Sequence, residues 1–465
     1  MKKLFLKGEA LEEMLPKIYL ILALFIGITL SLAMPLFNEP DGQYHYTAST
    51  NIARIPNDLS AYGETRIGSG IDAQLLNYQR GNFFEKYFKN TIQPMNMKDL
   101  PRTNYIPSAR GYSYWGHIIP AIGTRIGYTI YPSLGMLVVF ARLFTTLVCS
   151  LVMYFIIKRV KAGKLLFFAV SLSPVVTNSF SSLSYDATTY VIAALYIAWI
   201  INMIIRERVR HLDLIYLVVL TLVLMFAAKT NLILFAILGP LVMLINFVKQ
   251  TKNLQVVLLR NRFKESLSTI KRAKKKIMVA IIIIIGLLGV AIVVFRPTLA
   301  FSGYRIVLGF MINMNPSLNS SSIFQSLLAA PSPRYNNMPF WVSGIWYVLL
   351  VVILLSEKKY VRSTFLALFS VFLFVLGIVA IYYSYISQTV SRDDVGIMKE
   401  IGAISGVQGR YFTPTLLVLS IGVGSEKLKV KINSQYFASY FAIVVVILSN
   451  ALMLFGTLFG IYFLS

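Results

Sequence analysis

The chain has 465 residues, of which 57% are hydrophobic and only 14% charged. A soluble domain carries about 25% charged residues, so this composition excludes an ordinary water-soluble protein and indicates an all-α integral membrane protein, a single polytopic domain over 1–465. The formal net charge of +25 does not indicate nucleic acid as a partner. The basic residues gather in short segments between apolar runs, which is the positive-inside pattern.

About eleven apolar runs approach the roughly 20 residues that a helix needs to cross the hydrocarbon core. The first, 17–37, is too long for the apolar part of a cleaved signal and reads as a retained span. The long segment 38–133 follows it. There Phe83, Phe84, Tyr87 and Phe88 predict an amphipathic helix with an aromatic face at the membrane interface. Further spans are expected at 134–157, 164–180, 187–205, 213–228 and 231–248. The last two form either a hairpin or one element broken around Ala228–Asn231. Cys149 lies in an apolar run, where core packing accounts for it.

Segment 249–276 is dense in lysine and arginine, with Glu265 as its acidic residue. Val256, Leu259, Phe263, Leu267 and Ile270 recur at helical spacing, so it reads as a basic helix on the inner leaflet or a docking site for a cytosolic partner. A span at 277–295 leads to a second long loop, 296–340, containing Asn313, Asn315, Asn319 and Arg334. Spans at 341–356 and 363–386, a shorter loop 387–411 and spans at 412–424 and 436–464 complete the chain. Placing the N-terminus in the cytoplasm puts Lys158, Arg159, Lys161 and Lys164 inside, together with Lys271, Arg272, Lys274, Lys275 and Lys276. An odd number of spans then leaves the C-terminus extracytoplasmic.

Polar groups near or inside the apolar slab are costly, at roughly 2.5–3.5 kcal/mol each at a span centre, and so form a short list of functional candidates. Asp41 follows Pro40 just past the first span. It either caps the next helix or, one turn from His45, forms a carboxylate–imidazole pair able to take a proton or hold a divalent cation. Arg142, within the second span, either snorkels or meets a carboxylate or lipid phosphate. Tyr185-Asp186 opens the 187–205 span as an N-cap or a site residue, and Lys229 reaches either headgroups or a ligand. Arg410, in Gly406-Val407-Gln408-Gly409-Arg410-Tyr411, is an interfacial anchor or a fork for phosphate oxygens. His117 completes the set. The chain contains no zinc motif, P-loop, Rossmann fingerprint or nucleophile elbow, which argues against cytosolic ATP chemistry.

Pro40-Asp41 with His45 four residues on resembles the Pro-Asp-Glu-x-x-His signature of a bacterial multi-pass membrane family of unknown function that is grouped with the GT-C glycosyltransferases. Ala141-Arg142-Leu143, Ser184-Tyr185-Asp186 and Gln408-Gly409-Arg410-Tyr411 agree with that family in kind and order. The resemblance implies a GT-C-like fold and an outward-facing site. It also implies transfer of a sugar from a polyprenyl-linked donor to a cell-envelope glycan acceptor, among membrane lipids. Asp41 and His45 would be catalytic. Arg410, Tyr411, Asp186, Tyr185, Lys229, Arg142 and His117 would bind substrate. Gly42 stands where the family has glutamate, so Asp41 is expected to act with His45 or alone, and Glu39 is a second carboxylate only at a different spacing. A transporter or flippase for a lipid-linked sugar, and a non-catalytic membrane scaffold, are the alternatives.

Overall fold

A computed structural model of the chain describes residues 8–62, 82–100, 105–251, 274–317, 322–331, 338–390, 404, 406–428 and 435–459. Among these residues there is no strand, only two isolated bridges, Thr91 with Ser133 and Val361 with Ser425. The α-helices, in chain order, are α1 Gly8–Ala33, α2 Gly42–Ile52, α3 Tyr112–Trp115, α4 Ile118–Ile130, α5 Leu134–Arg159, α6 Lys164–Ser171, α7 Pro174–Phe180, α8 Tyr185–Arg206, α9 His211–Ala227 and α10 Leu238–Gln250. After them come α11 Lys274–Phe295, α12 Pro297–Met314, α13 Ile323–Ser326, α14 Phe340–Ser356, α15 Thr364–Val390, α16 Leu419–Val423 and α17 Gln435–Phe459.

Among the described residues six helices are long and apolar enough to cross a membrane: Leu11–Ala33, Leu134–Arg159, Tyr185–Arg206, Thr230–Gln250, Thr364–Ile386 and Tyr436–Leu458. A bent pair, Gly286–Phe295 and Pro297–Met314, raises the count to seven if it forms one span. Several of the eleven expected runs are therefore not single spanning helices among the described residues, because apolar length alone does not reveal where a helix breaks. The run 164–180 is two helices of 8 and 7 residues. At 1.5 Å rise per residue neither approaches the roughly 30 Å of the hydrocarbon core. They part at Ser173-Pro174, where proline has no N–H to continue the helix. Phe167 and Phe168 are fully buried, so this run fills the bundle interior. The run 412–424 is likewise a 3-10 segment, Thr413–Val418, feeding the five residues of α16. The helices α9 and α14 are apolar but only 17 residues long.

The long loop 296–340 also differs from expectation, because most of its first half is helix α12, turned by 116° from the helix before it. Asn313 is fully buried there and donates to the Ile404 carbonyl at 3.0 Å. Asn319, Arg334 and residues 252–273 of the basic segment 249–276 lie outside the described residues.

The first helix ends at Ala33, before Pro35, short of the expected end at 37. The chain then makes a tight return in which Phe37 and Asp41 both adopt left-handed backbone angles, φ 61° and 58°. The segment 38–133 encloses a small core of its own. Phe37, Tyr46, Phe83 and Tyr87 pack there against Leu134, Leu137 and Ala141 at the start of α5. The expected amphipathic aromatic helix is a short turn ending in the π-helical segment Glu85–Lys89; Phe83, just before that segment, and Tyr87 within it face that core, and Phe84 is exposed. Among the described residues of this segment α4 is amphipathic, with Ile122, Ile126 and Ile130 exposed along one stripe.

Candidate functional site

Each polar candidate is set by local backbone chemistry. Asp41 holds the position before α2, but its left-handed backbone makes no side-chain cap. Its carboxylate turns outward, 43% exposed, and accepts from Arg410 Nη2 at 3.3 Å. Gly42 is required by the same turn. A Cβ there would lie 2.8 Å from the Phe37 Cα, so this backbone has no room for the glutamate of the family signature.

Arg410 comes from the far end of the chain, in a 3-10 turn, Gly409–Tyr411. Gly409 allows the turn to press against the α13 region. A Cβ at 409 would sit 2.4 Å from the Leu327 nitrogen, and the Gly409 N–H donates to Ser326 Oγ at 2.8 Å. Thr413 Oγ1 donates to the Leu327 carbonyl at 2.6 Å, fixing the other side of the turn. Arg410 itself is 7% exposed. Burial works against its charge, but Asp186, Tyr411 and Asp41 outweigh that, and its pKa lies above the usual arginine value.

Asp186 sits in the first turn of α8, where the helix dipole favours a carboxylate. The capping role falls to Ser184, whose Oγ accepts from the Asp186 N–H at 3.1 Å. The Asp186 side chain is thereby free to bridge two cations. Lys229 Nζ lies 2.5 Å from Oδ1, and Arg410 Nε lies 3.4 Å from Oδ2. Lys229, at the break between α9 and the next 3-10 segment, also stands 3.8 Å above the Tyr411 ring and 4.9 Å from that of Tyr185. Asp41, Arg410, Asp186 and Lys229 therefore form one continuous network from four distant segments.

A cavity of about 420 Å³ opens beside this network. Tyr112, Tyr185, Tyr385 and Tyr411 line it with Lys229 and Asn231. Tyr112 and Tyr385 were not among the sequence candidates. The one signal for Tyr385 was the polar run Tyr382-Tyr383-Ser384-Tyr385 at the end of an apolar span.

His45 and His117 stand behind Tyr185, with ring centroids 5.0 and 5.3 Å from it. Both are buried, and His45 Nδ1 lies 2.7 Å from His117 Nε2. His117 Nδ1 meets the Ser113 carbonyl. Burial, His117, Arg410 and Lys229 push the His45 pKa well below the usual histidine value. Burial brings that of His117 down to about 4 against the opposing pull of the Ser113 carbonyl and Asp186. The His45 ring bonds to His117 and not to Asp41, so the expected Asp41–His45 pair is replaced by Asp41–Arg410 and His45–His117.

Arg142 does not join the network. It is fully buried and clamped by Glu39, by the Met34 carbonyl at 2.7 Å and by the Pro35 carbonyl at 3.0 Å. Its guanidinium holds together the end of the first span, which accounts for it without a substrate. The same bond removes Glu39 as a second carboxylate beside Asp41. Among the described residues no group of three His, Cys, Asp or Glu side chains comes together to hold a metal ion. Lys229 and Arg410 already occupy the carboxylates of Asp186 and Asp41, so among the described residues these two side chains do not fit a bound divalent cation.

A family model described as predicted membrane protein (DUF2142) matches residues 24–419. No curated protein and no solved structure matches the chain. That match spans most of the multi-pass bundle and every residue of the ion-paired network, and the chain belongs to the DUF2142 family of predicted membrane proteins.

Proposed function

We propose that this protein is a GT-C-type glycosyltransferase that moves a sugar from a polyprenyl-phosphate donor to a cell-envelope glycan acceptor on the extracytoplasmic side. The observation that carries this reading is the convergence of Asp41, Asp186, Lys229 and Arg410 beside a tyrosine-lined cavity within a membrane-spanning bundle. A lipid-linked donor has to be met in the membrane, its phosphate needs cations, and its sugar needs aromatic and hydroxyl surfaces.

In this mechanism the donor phosphate enters against Lys229 and Arg410. It competes with Asp41 for Arg410 and releases the Asp41 carboxylate. An acceptor hydroxyl oxygen forms a bond to the anomeric carbon while the carbon–oxygen bond to phosphate breaks. The bonding pair leaves with the polyprenyl phosphate, and the hydroxyl proton passes to Asp41. Lys229 and Arg410 stabilise the charge that develops on the leaving phosphate. Asp186 sets the spacing of the two cations before the donor arrives.

The test compares lipid-linked sugars and envelope glycans in cells with and without the protein, and with Asp41→Asn or Arg410→Ala in its place. Donor is expected to accumulate beside unmodified acceptor in the null strain and in both variants. Normal glycosylated product from the two variants would sink the proposal, and donor trapped on the inner leaflet would identify flipping instead.

A further inference from the structure

The helices α2 and α4 pack against one another and leave a groove of about 400 Å³ lined by Ile52, Ala53, Arg54, Ile118, Ile122 and Arg125, with Ala121 at its base. Its chemistry is divided. Ile118 and Ile122 present aliphatic surface, and the exposed stripe of α4 continues it through Ile126 and Ile130. The helical spacing puts these side chains one turn apart on one face. Arg54 and Arg125 are both exposed and flank the groove.

Among the described residues no carboxylate answers these two cations. Neither α2 nor α4 contains an acidic residue. No ion pair is recorded for Arg54 or Arg125 among the described residues, and the recorded contact of the Arg125 guanidinium is the Tyr128 ring, 5.6 Å away. Arg54 also carries a left-handed backbone, φ 57°, immediately after the end of α2. Arginine rarely adopts that conformation, and strained residues persist where the surrounding structure determines them, often at ligand clamps. The α2 end is held by the Ala53 N–H to the Ser49 carbonyl at 2.9 Å and the Ile55 N–H to the Thr50 carbonyl at 2.9 Å.

We propose that this groove binds one anionic phospholipid of the surrounding leaflet. Its phosphate sits between the guanidinium groups of Arg54 and Arg125, and an acyl chain lies along the isoleucine stripe of α4. The pairing of forked cations with a contiguous aliphatic track selects a phosphate that carries a hydrocarbon tail over a free anion. The site lies at the opposite end of α2 from Asp41, and it does not depend on the transferase reading.

The test uses the full-length protein in detergent with added phosphatidylglycerol or phosphatidylcholine, with bound lipid counted by native mass spectrometry. The wild-type protein is expected to retain phosphatidylglycerol in preference to phosphatidylcholine. R54S/R125S is expected to lose that retention by about tenfold or more, on the order of what two basic residues contribute at an anionic surface. Excess inorganic phosphate is expected to leave the lipid in place. Both arginines are exposed, so thermal unfolding of the double variant should match wild type and certify its fold. Equal phosphatidylglycerol retention by the folded double variant, or displacement of the lipid by inorganic phosphate, overturns the proposal.

Discussion

His45 Nδ1 and His117 Nε2 are hydrogen-bonded at 2.7 Å, and the Ser113 carbonyl decides which way that bond runs. A carbonyl only accepts, so His117 carries its proton on Nδ1 and, when neutral, has a lone pair on Nε2. His45 must then donate from Nδ1, which leaves its own Nε2 unprotonated. The chain has three histidines, so nitrogen-15 NMR of labelled protein can resolve each ring. Both buried histidines are expected in the Nδ1–H form at pH 7, and His117→Ala should release His45 to a mixture. An Nε2–H signal for His45 in the wild-type protein contradicts this bonding.

The same pair makes the fold sensitive to acid. Both folded-state pKa values lie below the ordinary histidine value of 6.5, with His117 at about 4. The unfolded chain therefore binds protons that the folded chain refuses. Stability is full above pH 6.5 and is lost as the pH falls toward 4, by a few kcal/mol in all. Thermal unfolding between pH 8 and 4 should show that slope, and a His45→Gln/His117→Gln double variant should flatten it.

Arg142 and Glu39 separate a structural cation from the functional ones. Arg142→Ala leaves the Glu39 carboxylate buried and uncompensated, which costs about 3–5 kcal/mol. Arg142→Lys should rescue little, because the guanidinium reaches Glu39 and the Met34 and Pro35 carbonyls at once. Folded yield and melting temperature measure both effects. Wild-type stability in Arg142→Ala would show that the clamp is not structural.

Much of this site was legible in the sequence as a set of residues, though not as a set of partners. Asp41, Asp186, Lys229 and Arg410 stand out because charges beside apolar runs are rare and costly. Their mutual pairing joins segments 43 to 369 residues apart, and no local pattern encodes it. Arg142 met the same criterion and belongs elsewhere, because its neighbours are backbone carbonyls that sequence does not reveal. The spans were legible where one helix carries the whole apolar run, as in α5 and α8. They were miscounted where Ser173-Pro174 breaks a run that is buried in protein. Hydropathy does not distinguish a helix in lipid from one in a core.

Gly42 gives a direct test of the tight return after the first span. A Cβ at 42 meets the Phe37 backbone at 2.8 Å, and that backbone is already left-handed at Phe37 and Asp41. Gly42→Ala should destabilise by about 1–3 kcal/mol through overpacking. Gly42→Glu should lower the folded yield further and confer no metal-dependent stabilisation. Thermal unfolding with and without added Mg²⁺ reads both, and a Mg²⁺-induced rise in melting temperature for Gly42→Glu would show that a carboxylate pair can form here.

Asp41 and Asp186 touch the same arginine but stand in different surroundings, so their substitutions should fail differently. The Asp41 carboxylate is 43% exposed and has Arg410 as its recorded partner at 3.3 Å. Asp41→Asn should therefore fold normally, within about 0–1 kcal/mol of wild type, because the carboxylate is partly solvated and Arg410 keeps Asp186 as its counter-charge. Asp186 is 8% exposed and holds both Lys229 and Arg410. Asp186→Asn leaves the buried Arg410 and the partly buried Lys229 facing each other across a neutral amide, and the cost should reach several kcal/mol. Melting temperature, set against glycan product in complemented cells, separates the two. Under the transferase reading, Asp41→Asn gives stable but inactive protein, whereas Asp186→Asn loses stability and activity together. A destabilised Asp41→Asn would move Asp41 from the chemistry to the architecture of the network, and a stable, inactive Asp186→Asn would make Asp186 the better candidate for the base.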